Sequence, residues 1–469
     1  MIKQQITELA KQVGGKIDED QALLDEVTGL VEYPTAVIGK IDEEFLQVPA
    51  ECLISSMRDH QKYFHVIDND GKLLPNFITV SNIKSKDPQR LIQGNERVLR
   101  ARLSDAQFFW LTDQKVSLES RVEKLDSVLF HIKLGSVLDK TRRLQLLTKK
   151  IGVQIGADTR IAERAAMLAK ADLVSDMVGE FDSLQGLMGR YYAVSDGEDS
   201  LVGDSIEQHY WPKFAGAELP QSAEAQAVAL ADKLDSLVGI FASGEIPTGD
   251  KDPYALRRAA LSILRILIEE KRDLNLSDLV AESASSYASL QDIQIELDTQ
   301  QQIVDFIRGR LTAYYQTQNI PTTIIHSVMA CKPDSPLDFE NRVKAVTQFE
   351  QASEAKDLAA ANKRIRNILK KQPIANDANI DESLLVESAE KSLYSAIQTI
   401  EKDCLALFDQ GDYAQGLQKL SSLRTPVDRF FEDVMVMSED TTLKLNRLAL
   451  LSKLQHLFLR VADISLLQS

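Results

Sequence analysis

Apolar residues recur at helical spacing through most of the chain beyond residue 87. In the segment GDKDPYALRRAAL and its continuation, one helical face is built at steps of four, three and four by Leu256, Ala260, Ile263 and Leu267. Further apolar residues flank this face, so the pattern predicts a buried central helix. Asp252 is predicted to cap the helix and Pro253 to take its first position. Arg257 and Arg258 lie at the N-terminal end of this helix, where a capping or salt-bridge role is favoured over a functional one.

The pattern typical of strands is confined to residues 33–83. A short strand is predicted at 35–39, and two more at 62–68 and 77–82, on either side of a turn at 69–71 whose Asp-Gly pair suits a hairpin. Two helices are predicted within residues 1–32, separated at Gly14 and Gly15. Residues 1–85 are therefore interpreted as a small α/β module.

Helical patterns predict two further domains. Residues 86–336 are expected to form a helical body, including a helix at 128–153 with Leu134, Leu138 and Leu144 in its core. Two prolines within 332–336 predict a boundary. Residues 337–469 are expected to form an antiparallel helical bundle, so the predicted fold class is mainly α.

Composition narrows the possible functions. The formal net charge of −16 opposes extensive phosphate binding. Residues 340–469, however, carry 17 Lys and Arg against 19 Asp and Glu. Any nucleic-acid surface must therefore be a local basic patch, and the C-terminal part is its most favourable place.

The cysteines and the N-terminal residues indicate the cellular compartment. Cys52, Cys331 and Cys404 are far apart and form no CxxC pair, so neither a disulfide framework nor a structural zinc site is predicted. The chain lacks a membrane-spanning apolar run, and its first residues lack the apolar core of a signal peptide. A cytoplasmic protein is expected.

Four long segments carry a family resemblance. They are GDKDPYALRRAAL within the central helix, MRDHQKYFHVIDNDGKLLPNFITVSNI (57–83), GNERVLRARLSDAQFFW (94–110) and LFLRVADISLLQ (457–468). In this order they resemble the β subunit of the bacterial two-subunit glycyl-tRNA synthetase. The resemblance covers about the C-terminal two-thirds of that subunit, so the chain is expected to be a fragment or a truncated form. It implies that residues 1–85 are the end of an editing-like domain, and that the C-terminal bundle is similar to DALR-type anticodon-binding domains.

The resemblance also implies a helical module similar to the HD phosphohydrolases, whose histidines and aspartates hold a metal ion. Here Asp172 falls where the HD pair would lie, but Ala171 precedes it, and Asp232 supplies the final position. His209 is the only histidine between residues 132 and 325. Because hydrolytic metal sites need several converging ligands, the module is expected to retain its scaffold without the chemistry, and no metal ligand is named.

Basic residues of the C-terminal bundle are the candidate RNA-binding side chains. The stretch NKRIRNILKK is the most basic, and further cations stand near predicted helix starts. The predicted RNA-binding residues are Lys363, Arg364, Arg366, Lys370, Arg424, Arg429, Lys444 and Arg447. Phe430 and Phe431 are the aromatic candidates for base stacking, although at least one of them is expected to be core. The last helix is otherwise apolar and is also punctuated by Lys453 and Arg460.

These observations and the resemblance predict a tRNA-binding subunit of glycine–tRNA ligase. The implied partners are glycine tRNA and an α subunit, in a heterotetramer of two α and two β chains. ATP and magnesium are assigned to the α subunit, so no cofactor and no catalytic residue is predicted in this chain. Two alternatives remain open: a non-catalytic helical scaffold that binds protein, and an HD-type phosphohydrolase, against which the missing histidines argue.

Overall fold

The computed structural model describes residues 1–291, 293–372 and 379–468. The chain divides into two compact units. The first comprises residues 1–213 and 220–229, and the second comprises residues 214–219 and 230–469. The mainly α fold class is confirmed, whereas the division into domains at 85 and 336 stays a prediction.

The first unit begins with the α/β module. Its strands are β1 (Lys16–Ile17), β2 (Thr35–Lys40), β3 (Phe64–Ile67) and β4 (Leu73–Ser81), and its helices are α1 (Ile2–Gln12), α2 (Gln21–Leu30) and α3 (Ala50–Ser55). A 3₁₀ turn spans Glu43–Gln47 and a π turn spans Ser56–His60. The strands form an antiparallel sheet in the order β1-β3-β4-β2. The hairpin predicted around residues 69–71 is confirmed, with Gly71 at a φ of 85°.

The edge strand β2 has its outward backbone groups partly occupied by side chains. The Gln5 side chain accepts from the amide of Ala36 at 2.8 Å and donates to the carbonyl of Pro34 at 3.3 Å. The Glu96 carboxylate accepts from the amide of Lys40 at 2.9 Å. Both ends of the strand are thereby closed to pairing with another chain.

Helices build the rest of the first unit: α4 (Pro88–Asp113), α5 (Leu118–Val122), α6 (Val137–Ile155), α7 (Thr159–Leu168), α8 (Asp176–Glu180), α9 (Leu187–Ser195) and α10 (Ser200–Gln208). Short 3₁₀ turns cover Glu123–Ser127, Ala171–Val174 and Asp182–Leu184. The helix predicted at 128–153 was wrong over its first turns, because β5 (Leu129–His131) and β6 (Gly135–Ser136) form a hairpin there. Gly135, at a φ of 87°, takes a backbone conformation that a helix excludes.

The α11 helix (Ala223–Ala242) contributes to both units. The second unit continues with α12 (Leu256–Glu269), α13 (Leu276–Gln291), α14 (Leu297–Gln316), α15 (Thr322–Met329) and α16 (Pro336–Glu350). The predicted burial of the central helix α12 is confirmed at Leu256, Ala260, Ile263 and Leu267. Asp252 caps it as predicted, accepting from the amides of Leu256 and Arg257 at 2.8 and 2.9 Å. Pro253 was misplaced: it precedes the helix, and Ala255 adopts a left-handed backbone before it starts.

The C-terminal bundle contains α17 (Ala355–Lys371), α18 (Ser388–Asp409), α19 (Tyr413–Ser421), α20 (Arg424–Asp433) and α21 (Thr441–Leu459). Two 3₁₀ turns, Glu382–Leu384 and Ile464–Leu466, complete it. The α18 helix packs against α19, α20 and α21, and α17 packs against α20, α21 and the final turn.

Candidate nucleic-acid interface

The α17 helix separates an apolar face from a basic face. Leu358, Ala359 and Ile365 are buried, while the cations of its second half are exposed. This is the segregation expected when apolar residues recur at steps of three and four. The exposed cations are Lys363, Arg364, Arg366, Lys370 and Lys371, which we call the α17 basic face.

An arginine and an aromatic ring meet at one edge of the α17 basic face. The Arg364 guanidinium lies 4.2 Å from the ring centroid of Phe431 on α20. Phe431 is half-buried, whereas its neighbour Phe430 is fully buried, which confirms that one of the two belongs to the core. A half-exposed ring stacked with a guanidinium is the kind of surface on which an unpaired base packs.

Two members of the α17 basic face also hold the end of the chain. The Lys363 ammonium donates to the carbonyl of Gln468 at 2.9 Å. Arg366 contacts the carboxylate of Asp463 at 3.4 Å and the hydroxyl of Ser465 at 3.2 Å. Both side chains therefore have an internal role. Among residues 1–291, 293–372 and 379–468, no ion pair is formed by the exposed Lys370 and Lys371.

Arg424 is engaged at the junction of two helices. It forms an ion pair with Asp357 in the first turn of α17 and lies 3.8 Å from Asp428, one turn further along α20. The Arg424 side chain is 41% exposed, so its charge faces solvent only in part.

Arg447 cannot contact RNA in this structure, which corrects its prediction as a site residue. Its side chain is only 7% exposed, and its Nε donates to a fully buried Glu390 carboxylate at 2.5 Å. Its Nη1 donates to the carbonyl of Met435 at 2.9 Å. The residues of α21 from 446 to 452 are all buried, so an arginine there must be neutralised internally.

The remaining predicted residues, Arg429 and Lys444, lie on α20 and α21. Arg429 is exposed and Lys444 is half-buried. Within residues 1–291, 293–372 and 379–468, neither forms an ion pair. The eight predicted cations thus do not act as one set: four share α17, one is buried, and three lie on neighbouring helices.

A groove between α18 and α21 was not predicted from the sequence. It encloses about 380 Å³ and is lined by residues that include Glu401, Lys453 and His456. The Lys453 ammonium and the Glu401 carboxylate form an ion pair at 2.7 Å. The sequence signal was the two cations Lys453 and Arg460, near the end of a helix that also carries Lys444 and Arg447 among mostly apolar residues.

The polar residues of the HD-like segment make structural contacts within the fold. The buried Asp172 carboxylate accepts from the amides of Gly186 and Gly189 at 2.5 and 3.0 Å, at the start of α9. Burial raises the pKa of Asp172 to about 6. The two ring nitrogens of His209 are bonded to the Lys170 ammonium at 2.7 Å and to the Ile206 carbonyl at 2.6 Å.

This arrangement lacks the ligand set of a hydrolytic centre. A His209 nitrogen that accepts from an ammonium has no lone pair left for a metal ion. Across the described ranges, no three His, Cys, Asp or Glu side chains are grouped as a metal site requires.

The cysteines are poor nucleophiles where they stand. Burial raises the pKa of Cys52 to about 12, and that of Cys331 and Cys404 to about 11. All three are therefore thiols at neutral pH, and only the thiolate is strongly nucleophilic. In the part of the chain that the structure describes, no helix is long and apolar enough to cross a membrane.

Comparison with known proteins gives two family matches. Residues 1–330 match the family model described as glycyl-tRNA synthetase beta subunit, and residues 358–464 match the DALR anticodon binding domain. The second match contains the α17 basic face and the groove between α18 and α21.

Curated relatives agree with these matches. The chain is 50% identical to a glycine–tRNA ligase beta subunit of Marinobacter nauticus over 97% of its own length and 66% of the relative. Identity is 49% to the beta subunit of Glaesserella parasuis, with 98% and 66% covered, and 48% to that of Pseudoalteromonas translucida, with 100% and 67% covered. The chain thus spans about two thirds of the length of these relatives.

Proposed function

Because the chain belongs to the family of glycyl-tRNA synthetase β subunits, we propose that it is the tRNA-binding part of a glycine–tRNA ligase. The observation that carries this proposal is the α17 basic face, which lies inside the bundle that matches an anticodon-binding domain. Cations of this kind hold phosphates, while Arg364 and Phe431 offer a stacking platform for a base.

The chemistry of glycine attachment is assigned to another chain. We propose an α subunit as the partner, with ATP and magnesium bound there, in an assembly of two α and two β chains. This chain binds and orients the tRNA. Binding lowers the entropic cost of bringing the acceptor end of the tRNA to the reacting groups. No residue of this chain is proposed as catalytic.

A titration with glycine tRNA at two salt concentrations tests the binding proposal. Charge reversal at the exposed Lys370 and Lys371 should weaken binding about tenfold at low salt, because two phosphate contacts are lost. Lys363 and Arg366 are poorer targets, since both also hold the C-terminal turn.

The matched control reverses one exposed charge outside the anticodon-binding match. Lys344 on α16 is 70% exposed at its side chain, and Lys344→Glu should leave tRNA affinity unchanged. Absence of any tRNA binding at low salt would instead favour a protein-binding scaffold. Co-purification with the α subunit, followed by a sedimentation mass, tests the partner and the stoichiometry.

A further inference from the structure

The α16 helix joins the two family matches, since it follows residue 330 and ends before residue 358. Phe339, Val343 and Val346 are buried along its length. It packs against α12 and α15, which precede it in the chain, and against α19 of the C-terminal bundle. The orientation of the bundle on the preceding helices of the second unit therefore depends on how α16 holds both.

The first turn of α16 is anchored to elements that come earlier in the chain. The Phe339 ring stacks on Tyr315 of α14, with the ring centroids 5.5 Å apart and the planes at 22°. Both rings are fully buried. The Ser335 hydroxyl, which caps α16, donates to the Asp273 carboxylate at 2.6 Å. This end of the helix is therefore fixed to the preceding part of the second unit.

Arg342, about one turn further along α16, contacts the end of the last long helix of the bundle. Its Nη1 donates to the carbonyls of Arg460 and Val461, at 2.6 and 3.2 Å. Both carbonyls lie at the C-terminal end of α21, where the carbonyls of a helix have no partner within it. A positive charge at this end is also favoured by the helix dipole. Arg342 thereby ties α16 to α21.

Tyr413, at the start of α19, belongs to the same network. Its hydroxyl donates to the Asp338 carboxylate and accepts from the Arg342 Nη2 at 3.2 Å. The Arg342 Nε donates to Asp338 at 2.7 Å, and its guanidinium lies 4.7 Å from the centroid of the Tyr413 ring. Burial raises the pKa of Tyr413 to about 12, so the hydroxyl remains a donor at neutral pH. We call Asp338, Arg342 and Tyr413 the α16 clamp.

The α16 clamp favours one orientation of the bundle more strictly than apolar packing does. All three nitrogens of the Arg342 guanidinium are engaged, and they connect α16, α19 and α21 through a planar group with fixed donor directions. The Arg342 side chain is only 16% exposed and Tyr413 is buried, so water competes little for these bonds. A shielded and satisfied polar network of this kind makes its elements rigid and specifies one arrangement.

We propose that Arg342 is a positioning residue for the charging reaction: through the α16 clamp it fixes the angle at which the bundle is carried, so that a tRNA held by the bundle presents its acceptor end to the reacting groups of the α subunit. The inference rests on the proposed function. The tRNA is long, so a small rotation of the bundle is enlarged at the acceptor end. A misplacement of about 1 Å at the reacting atoms can lower a rate about 100-fold.

Variants of the α16 clamp separate positioning from binding. Two quantities are measured: charging of glycine tRNA by this chain together with the α subunit, and the affinity of this chain for an isolated anticodon stem-loop. Arg342→Met should lower kcat for charging at least about tenfold, while the Kd for the stem-loop stays within about twofold. Tyr413→Phe keeps the ring and removes only the hydroxyl, so it should lower kcat in the same direction by a smaller factor.

The matched control removes an ion pair from the same helix without touching the bundle. Lys344 pairs with Glu340 at 2.7 Å, and its side chain is 70% exposed. Lys344→Met should leave both kcat and the stem-loop affinity unchanged. Thermal melts of the three variants establish that each is folded under the conditions of the assays.

Hydrogen exchange of this chain alone measures the joint directly. The amide of Asp463, just beyond α21, donates to the carbonyl of Ser327 on α15 at 2.8 Å. Arg342→Met should speed exchange of this amide at least about tenfold, because the end of α21 is no longer held against α16. Amides within the buried α12 helix should exchange at the unmodified rate, and Lys344→Met should change neither.

The outcomes distinguish this inference from the function on which it rests. Unchanged charging or unchanged exchange at Asp463 in Arg342→Met would overturn the role of Arg342 and leave the proposed function standing. Charging and stem-loop affinity that fall by the same factor would do so too, because Arg342 would then act on the fold of the bundle itself. No tRNA binding and no charging with the unmodified chain would overturn the proposed function.

Discussion

At the scale of single residues, burial decides whether an arginine of the C-terminal bundle serves the fold or a ligand. Arg364, Arg429 and Arg447 look alike in the sequence, each in a helix with apolar neighbours. In the structure Arg364 stacks on a ring, Arg429 is exposed, and Arg447 is buried against Glu390. Periodicity could not separate them, because the partner Glu390 is 57 residues away in the chain.

Replacement of Arg447 by methionine should destabilise the second unit. The change leaves the Glu390 carboxylate buried without its partner, which costs about 3 kcal/mol or more. Urea denaturation should show a lower midpoint. Arg429→Met, the exposed control, should change the free energy of unfolding by less than about 0.5 kcal/mol. Equal midpoints for the two variants would contradict the structural role of Arg447.

Asp172 should give stability a pH dependence of definite sign. Its pKa in the folded protein is about 6, raised from 3.8 by burial, so the folded state holds the proton more tightly than the unfolded chain. The resulting contribution to stability is fully present below the unfolded pKa and is lost as the pH rises through about 6. Relative to Asp172→Asn, the unmodified protein should lose roughly 1 kcal/mol of stability between about pH 5 and pH 7.

The measurement is chemical denaturation of both proteins across that interval. Asp105→Asn removes an exposed carboxylate from α4 and should reproduce the unmodified pH profile. A constant difference between the unmodified protein and Asp172→Asn at all pH values would show that this carboxyl does not titrate there.

At the scale of elements, helices are predictable where the apolar period is long and strong. The α12 helix and its Asp252 cap follow from spacing and local hydrogen bonding. The hairpin at 129–136 was not predicted, because its turn depends on the positive φ of Gly135. The apolar residues on both sides recur at helical spacing and so predicted a continuous helix. The groove between α18 and α21 could not be predicted either, because its lining residues on the two helices, of which Leu405 and Ala449 are the nearest in sequence, are 44 or more residues apart in the chain.

The packing of α19 on α18 should fail if Gly416 acquires a side chain. A Cβ atom there would lie 2.1 Å from the Phe408 ring, so Gly416→Ala should destabilise the bundle by about 1–3 kcal/mol through overpacking. Gly309→Ala in α14 is the matched control, because its Cβ would meet no atom within 4 Å. Higher helix propensity should make that variant slightly more stable, by up to about 1 kcal/mol. Thermal unfolding checks both, and a more stable Gly416→Ala would show that the two helices tolerate separation.

At the scale of the whole molecule, charge is distributed unevenly. The net charge of −16 repels nucleic acid, whereas residues 340–469 are nearly neutral with their cations concentrated on α17. RNA is therefore expected to approach the C-terminal bundle and to avoid the rest of the surface. The uneven distribution of charge could be predicted from the sequence. Which cations are exposed and which are held in internal contacts could be learned only from the structure.

The salt dependence of tRNA binding should report how many cations are engaged. With about four phosphate contacts, affinity should fall roughly 50-fold between about 50 and 200 mM salt. Reversal of both Lys370 and Lys371 should make the logarithmic slope shallower by about 1 to 1.5. A steep slope that these reversals leave unchanged would place the phosphate contacts elsewhere on the molecule.

The side chains that occupy the β2 edge have a consequence during synthesis, when many nascent copies coexist. An unprotected edge strand can pair with a strand of another chain and so start aggregation into fibrils. Gln5 and Glu96 come from helices before and after the strand, so this protection is complete only once α4 has emerged and folded. Until then the module is vulnerable, and chaperones that shield exposed edges would matter most in that interval.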